Sequence, residues 1–234
     1  MTTNIICLKW GKKYGPEYVN LLYAGFKRHT TIPFNFHCFT DNGKGIAAGV
    51  IIHPLPFATK LDGWWNKLYL FSQEIKLEGR LFFVDLDTLI VGNVDQIISH
   101  DKGFVVLRDF YKAEKDAKAT NVGSGLMSFE AHKYPHLWTN FMKDPVHIVA
   151  SIKPHGDQAW IQKQIAEHDR QYWQDLYPNQ VISFKVHCTK GLPPDARIVC
   201  YHGIPSIPDS ITKTTKAQSR TFLPAPWVAD HWKD

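Results

Sequence analysis

Arg80-Leu81-Phe82-Phe83-Val84-Asp85-Leu86-Asp87 decides the fold. Four apolar residues in succession, Leu81 to Val84, read as a strand buried on both faces. That is the pattern of a central strand in a sheet covered on either side by helices. Asp85 and Asp87 follow at its carboxyl end. In an extended chain, residues i and i+2 point to the same side, so both carboxylates reach one place. Two such charges repel unless a proton or a cation relieves them. A hard divalent ion takes oxygen ligands of this kind, and open α/β sheets receive ligands at the carboxyl ends of their strands. A turn that only closes the strand with acids would use the same residues.

The neighbouring segments extend the pattern. Asn4–Leu8 is a short β-branched run, read as a buried strand. Gly11 and Gly15 break the loop after it, and Pro16 suits a helix start. Tyr18, Leu22 and Phe26 recur at one helical face. Phe34–Phe39 and Val50–Ile52 read as further strands. Trp64, Leu68, Phe71 and Ile75 share one face of an expected helix from Gly63 to Glu74, which Gly79 ends. Strands alternating with helices argue an α/β layered domain. Beyond Asp101, Phe104–Leu107 and Val122–Phe129 read as strands, and Lys112–Thr120 as a charged, mobile loop. Helices are expected near His132–Lys143 and Asp157–Glu167, and a late strand over Arg197–Tyr201. The tail from Ile211 is basic and aromatic without periodicity. No repeat or Pro/Gly-rich linker divides the chain.

Composition narrows the function. Among 234 residues, 44% are apolar and 13% aromatic, which supports a packed core and excludes global disorder. The net charge of +5 suits an anionic small ligand. No dense basic stripe with interleaved aromatics argues for nucleic acid. Cys7, Cys38, Cys188 and Cys200 sit in apolar runs without CxxC spacing, so reduced, buried thiols are expected. The start lacks the apolar region of a signal peptide, and no stretch approaches the roughly 20 apolar residues of a membrane span. A soluble cytoplasmic protein is the expectation.

Three more groups could carry chemistry. His202, at a strand end beside Gly203, can offer a ring nitrogen to a ligand. It becomes the natural third ligand if Asp85 and Asp87 hold a cation; otherwise it is one of 12 histidines in a polar loop. Lys67 falls in the first turn of the expected helix, where free N–H groups and the dipole favour anions; a solvated lysine is the plainer alternative. Asn121-Val122-Gly123-Ser124-Gly125 and Gly156-Asp157-Gln158 offer small residues that let a polyhydroxylated ligand approach the backbone, with side chains that bond hydroxyls. A β-bulge and a helix N-cap would explain the same segments.

The order of these motifs resembles the GT-A fold glycosyltransferases, most closely the glycosyltransferase family 8 type that includes glycogenin and bacterial lipopolysaccharide galactosyltransferases. The likeness runs from Asn4 to about Pro205. It implies an α/β, Rossmann-like domain over 1–205, with a mixed, mostly parallel central sheet flanked by helices. Residues 206–234 would form a tail that acts as a lid or meets the acceptor or a membrane. It further implies that Leu8, Lys9, Tyr14 and Asp41 line the base and ribose pocket, that Lys67 and Asp85 also bind nucleotide, and that Asp85, Asp87 and His202 hold Mn²⁺ or Mg²⁺ against the diphosphate of a UDP-sugar. Ser124, Gly125, Asp157 and Gln158 would contact the donor sugar, with Asn121, Asp157 and Gln158 acting in catalysis. The implied reaction passes the sugar, with retention, to a glycan or lipid-linked acceptor, in the cytoplasm or peripherally at a membrane.

The chain departs from that family in two places: the Asn-Ser-Gly segment is stretched to Asn121-Val122-Gly123-Ser124-Gly125, and the lysine after the histidine segment is missing. Members often carry Lys-Pro-Trp after the histidine segment; here His202-Gly203-Ile204-Pro205-Ser206 follows, and no lysine comes before Lys213. Lys213 or Lys216 would have to serve from the tail. Two other readings use the same residues. Val84-Asp85-Leu86-Asp87-Thr88 is similar to the nucleophile motif of haloacid-dehalogenase-like phosphatases, although its threonine falls one place early and the strand is not the first. A non-catalytic nucleotide-sugar-binding module would also fit the missing lysine.

Overall fold

Phe82 and Phe83 point to opposite faces of one sheet, and each meets its own core. The computed structural model describes residues 3–57, 60–61, 63–152, 156–217 and 219–234. Its first half runs β1 (Thr3–Lys9), α1 (Pro16–His29), β2 (Phe34–Thr40), β3 (Ile51–Pro54), a 3-10 helix (Gly63–Phe71), β4 (Arg80–Val84), β5 (Thr88–Ile90), α2 (Asp95–Ile98), β6 (Phe104–Arg108), α3 (Phe110–Lys115) and β7 (Val122–Glu130). The second half runs α4 (His136–Phe141), α5 (Pro145–Ile152), α6 (Gly156–Gln164), β8 (Arg170–Tyr172), α7 (Trp173–Leu176), β9 (Val181–Ser183), α8 (Phe184–His187), β10 (Ile198–Cys200), α9 (Ile207–Thr212), β11 (Thr215–Ala217) and β12 (Arg220–Phe222).

The main sheet has the order β3-β2-β1-β4-β7-β6-β8. Pairing is parallel except that β7 runs antiparallel to both β4 and β6. Residues alternate between the two covers as strand geometry requires. Ile6, Leu8, Leu81 and Phe83 face the 3-10 helix, α4 and α6, while Ile5, Cys7, Phe82 and Val84 face α1, α2 and Trp173. All four cysteines are free and buried. A small sheet, β5-β10-β9, carries a third core. There β10 runs antiparallel to β5, pairing Cys200 with Thr88, so the amide of Tyr201 donates to the carbonyl of Asp87 at 2.9 Å. That pairing brings the distant His202 segment beside the acidic turn.

Several local expectations change. The segment from Gly63 is a 3-10 helix ending at Phe71 rather than an α-helix to Glu74. Trp64 therefore leaves the buried face and is 51% exposed, and Trp65 packs inward. Lys112–Thr120 is not wholly loop: Asp109 accepts from the amides of Tyr111 and Lys112 and caps α3. The helix α5 had no counterpart in the sequence reading. The tail is anchored, with Ile207, Phe222 and Val228 in the third core and the carbonyls of His231 and Lys233 bonded by Arg28 at 2.6 Å each. Among the described residues, no helix is long and apolar enough to cross a membrane.

Two stability predictions follow from the packing. Phe82 packs edge-on against Phe26 and Trp173, with centroids 6.3 and 5.6 Å away. Phe82→Ala should cost about 3–5 kcal/mol in urea unfolding. His37 is buried in β2 against His53, and burial first, then the His53 ring, lowers its pKa from 6.5 to about 4. The unfolded chain therefore binds more protons in that window. The thermal midpoint should fall as pH drops from 6.5 to about 4, and His37→Gln should flatten part of that slope.

Candidate active site

The carboxyl end of β4 opens into a cavity of about 390 Å³. Its floor is built on Lys67, a residue only 3% exposed. The ammonium lies 3.2 Å from Asp85 Oδ1 and 3.4 Å from Asp157 Oδ2. It also donates to the carbonyl and hydroxyl of Ser124, at 3.1 Å each. Burial would lower its pKa, but Asp157 and Asp85 more than offset this and hold the ammonium charged. The sequence expectation placed Lys67 in a helix's first turn, free to meet an anion. In the structure it lies past that turn, and its charge is spent on two carboxylates and Ser124.

Each partner arrives by a local device. Asp85 follows the last residue of β4, and its amide donates to the carbonyl of Gly125 at 2.8 Å. A Cβ at Gly125 would stand 3.1 Å from Asp85 Oδ2, so glycine leaves the carboxylate its room. The β6–β7 register shifts between Val105 and Leu107, which places Ser124 and Gly125 under the cavity; the bulge reading of this segment and its ligand reading are compatible. Asp157 sits in the first turn of α6, 4% exposed. Before it, Gly156 takes φ +63°, and a Cβ there would collide with the indole nitrogen of Trp64. Gln158 and the half-exposed Trp64 line the mouth.

The acidic pair is short of positive charge. Burial, with Asp87 and Asp157 nearby, raises the pKa of Asp85 against the pull of Lys67. Burial also raises that of Asp87, although Tyr14 donates its phenol to Asp87 Oδ2 at 3.0 Å. Asp157 Oδ2 is buried without a hydrogen bond, despite its ion-pair distance to Lys67. Carboxylates in this state favour a cation.

His202 does not complete that set as expected. Its backbone lies beside the acidic turn, but Nε2 and Ser183 Oγ share a hydrogen bond of 2.7 Å. The ring stacks on Phe110 at 6.0 Å and meets the edge of Tyr111 at 5.0 Å. Among the described residues, no three His, Cys, Asp or Glu side chains converge as a metal cage. The imidazole lines the cavity and stays neutral, since burial and then the nearby Lys185 lower its pKa to about 4.

Other expected residues lie apart from this cavity. Leu8 is core. Lys9 donates to the carbonyl of Asn42 at 3.4 Å, and Asp41 accepts from the amide of Gly11 at 3.0 Å. Tyr14 approaches only through Asp87. Asn121 is exposed, its carbonyl taking the amide of Asp109 at 2.7 Å. Trp64, Arg108, Asp109 and Tyr111 also line the cavity, and of these Trp64 and Arg108 were not among the expected site residues. Arg108 is held by Asp175 and stacks over Tyr172 at 4.0 Å. The α3 capping signal at Asp109 was available in the sequence; the exposure of Trp64 was not.

No family model and no curated protein matches the sequence. Solved structures do match the fold. Galactosyltransferase LgtC, in complex with donor and acceptor sugar analogs, superposes with TM-score 0.62 at 10% identity, over 87% of this chain and 88% of that one. The chain has the GT-A fold. An active-site mutant of LgtC gives 0.61 at 10% identity, over 87% and 89%. The glycosyltransferase GlyE of Streptococcus pneumoniae TIGR4 gives 0.64 at 10% identity, over 99% of this chain but 60% of that one. Within this fold the acids end the fourth strand, which removes the strand-one context a dehalogenase-like nucleophile needs.

Lys67→Met should therefore cost about 3–5 kcal/mol, because it leaves two carboxylates without their buried cation. Adding Asp157→Asn should recover part of that loss. Thermal and urea unfolding of the single and double variants check both.

Proposed function

We propose that this chain is a divalent-metal-dependent glycosyltransferase that moves a sugar from a nucleotide-sugar donor, a UDP-sugar above all, to a glycan or lipid-linked acceptor. The observation that carries the reading is the GT-A sheet with Asp85 and Asp157 tied to one buried lysine at the floor of its cavity. Retention of anomeric configuration, a cytoplasmic site of action and contact of the tail with a membrane-borne acceptor belong to the same proposal, on the family resemblance.

The donor set fits a hard cation through oxygens: Asp85 and Asp87 would hold Mn²⁺ or Mg²⁺, and the unbonded Asp157 Oδ2 marks the same shortage of positive charge. A bound divalent ion would supply charge stabilisation to a departing diphosphate. The remaining work falls to the chain itself. Lys67 keeps Asp85 and Asp157 in fixed relation, so neither must reorganise when donor enters. Asp157 and Gln158, at the start of α6, would hold the donor sugar by its hydroxyls, with Ser124 beneath. Trp64 offers an apolar ring face at the mouth, a surface on which a sugar ring stacks.

A panel of UDP-, GDP- and CMP-sugars with Mn²⁺, scored by nucleotide release, tests the reading. UDP-sugar turnover should stop on chelation of the metal. Asp87→Asn, which keeps an acceptor for Tyr14, should lower it by at least about a hundredfold. Equal turnover without metal would remove the metal from the reading. UDP binding without release from any donor would favour a binding module instead.

A further inference from the structure

Among the described residues three lysines lie buried: Lys9, Lys67 and Lys185. Lys9 has the carbonyl of Asn42, and Lys67 has Ser124 and two carboxylates. Lys185, on the short helix α8 and 2% exposed, has neither a hydrogen-bond acceptor nor an ion-pair partner among the described residues. Its ammonium stands 6.0 Å from the ring centroid of Tyr111 and 3.6 Å from where a Cβ on Gly203 would be. It is near enough for its charge to act on both His202 and Asp87. His202 and Tyr111 line the cavity. The residue is buried, yet its ammonium is not among the fully buried unpartnered polar atoms, so the charged tip keeps an opening through which an anion can reach it, while burial lowers its pKa with only Asp87 opposing.

We propose that Lys185 is the anion-binding residue of this site, its ammonium taking a phosphate oxygen of the donor's diphosphate at the wall formed by Tyr111, His202 and Gly203. The proposal rests on the nucleotide-sugar reading for the identity of the ligand, but the anion site itself does not. Lys67 cannot fill the role, because its charge is already shared between Asp85 and Asp157. Lys213 of the tail is engaged too, at 2.6 Å from Asp209. Lysine binds phosphate as a compact point charge, and Gly203 puts no side chain over the ammonium.

The test is calorimetry with Mn²⁺ on the whole chain and its Lys185→Met variant, using UDP, uridine and inorganic pyrophosphate as three separate probes. Lys185→Met should weaken UDP and pyrophosphate by about ten- to a hundredfold, the size of a charge-assisted hydrogen bond, and leave uridine unchanged. Lys185→Arg should retain most of the binding. The ligand-free thermal midpoint of Lys185→Met should hold or rise, because no hydrogen bond or ion pair is lost and a desolvated charge is removed; a lysine with a structural role would lower it. Undiminished UDP and pyrophosphate binding in Lys185→Met overturns the proposal. Pyrophosphate binding that depends on Lys185, with no binding of UDP, supports the anion site and removes the nucleotide reading. Wild-type protein that binds none of the three overturns both. If Lys185→Met and Lys185→Gln both fail to fold, the lysine is structural and the proposal falls.

Discussion

One ammonium, on Lys67, sits below the surface among groups from three other parts of the chain: the end of β4, the bulged start of β7 and the first turn of α6. Buried ion pairs seldom add much net stability, since desolvation consumes most of the attraction. What this one does is exclude alternatives. A shift in any of the four segments would strand a charge. The cavity floor is thus set by electrostatic satisfaction, and the apolar layers on both faces of β4 hold it at a fixed depth.

The electrostatics of the cavity divide in two. On one side Lys67 pairs with Asp85 and Asp157, while the neighbouring Asp87 has the phenol of Tyr14 and no ion pair, so the ensemble is short of positive charge. On the other, beyond the cavity-lining Tyr111 and His202, Lys185 has no partner among the described residues and stands near a neutral imidazole and an open glycine. An anion carrying its own divalent cation would relieve both at once, because each of its components answers one of the two deficits. A neutral ligand would relieve neither.

The tail takes part in the architecture around this cavity. Arg220, on β12, pairs with Glu114 of α3 at 2.6 Å and lies over Tyr111, 5.3 Å from its ring centroid. The helix that lines the cavity with Phe110 and Tyr111 is therefore braced by the last thirty or so residues, which are themselves fixed through the third core and through Arg28. Removal or movement of the tail would loosen that wall first, and the sheet last.

Sequence by itself determined the layered α/β class, the central strand and its acidic end, because a fully apolar run followed by two carboxylates at i and i+2 has few uses. It also marked Asp157, Gln158, Ser124 and Gly125, whose positions follow from a helix start and a bulge nearby in the chain. Tertiary structure alone decided the rest. Lys67 reads as a helix-end lysine until Asp157, ninety residues on, is brought against it. His202 reads as a ligand until Ser183 takes its Nε2. Lys185 carries no signal at all in Phe184-Lys185-Val186-His187, since a lysine on a short helix is ordinarily solvated. Periodicity reports which face of an element is apolar; it does not report which charges meet when separate elements pack, and this cavity is made of such meetings.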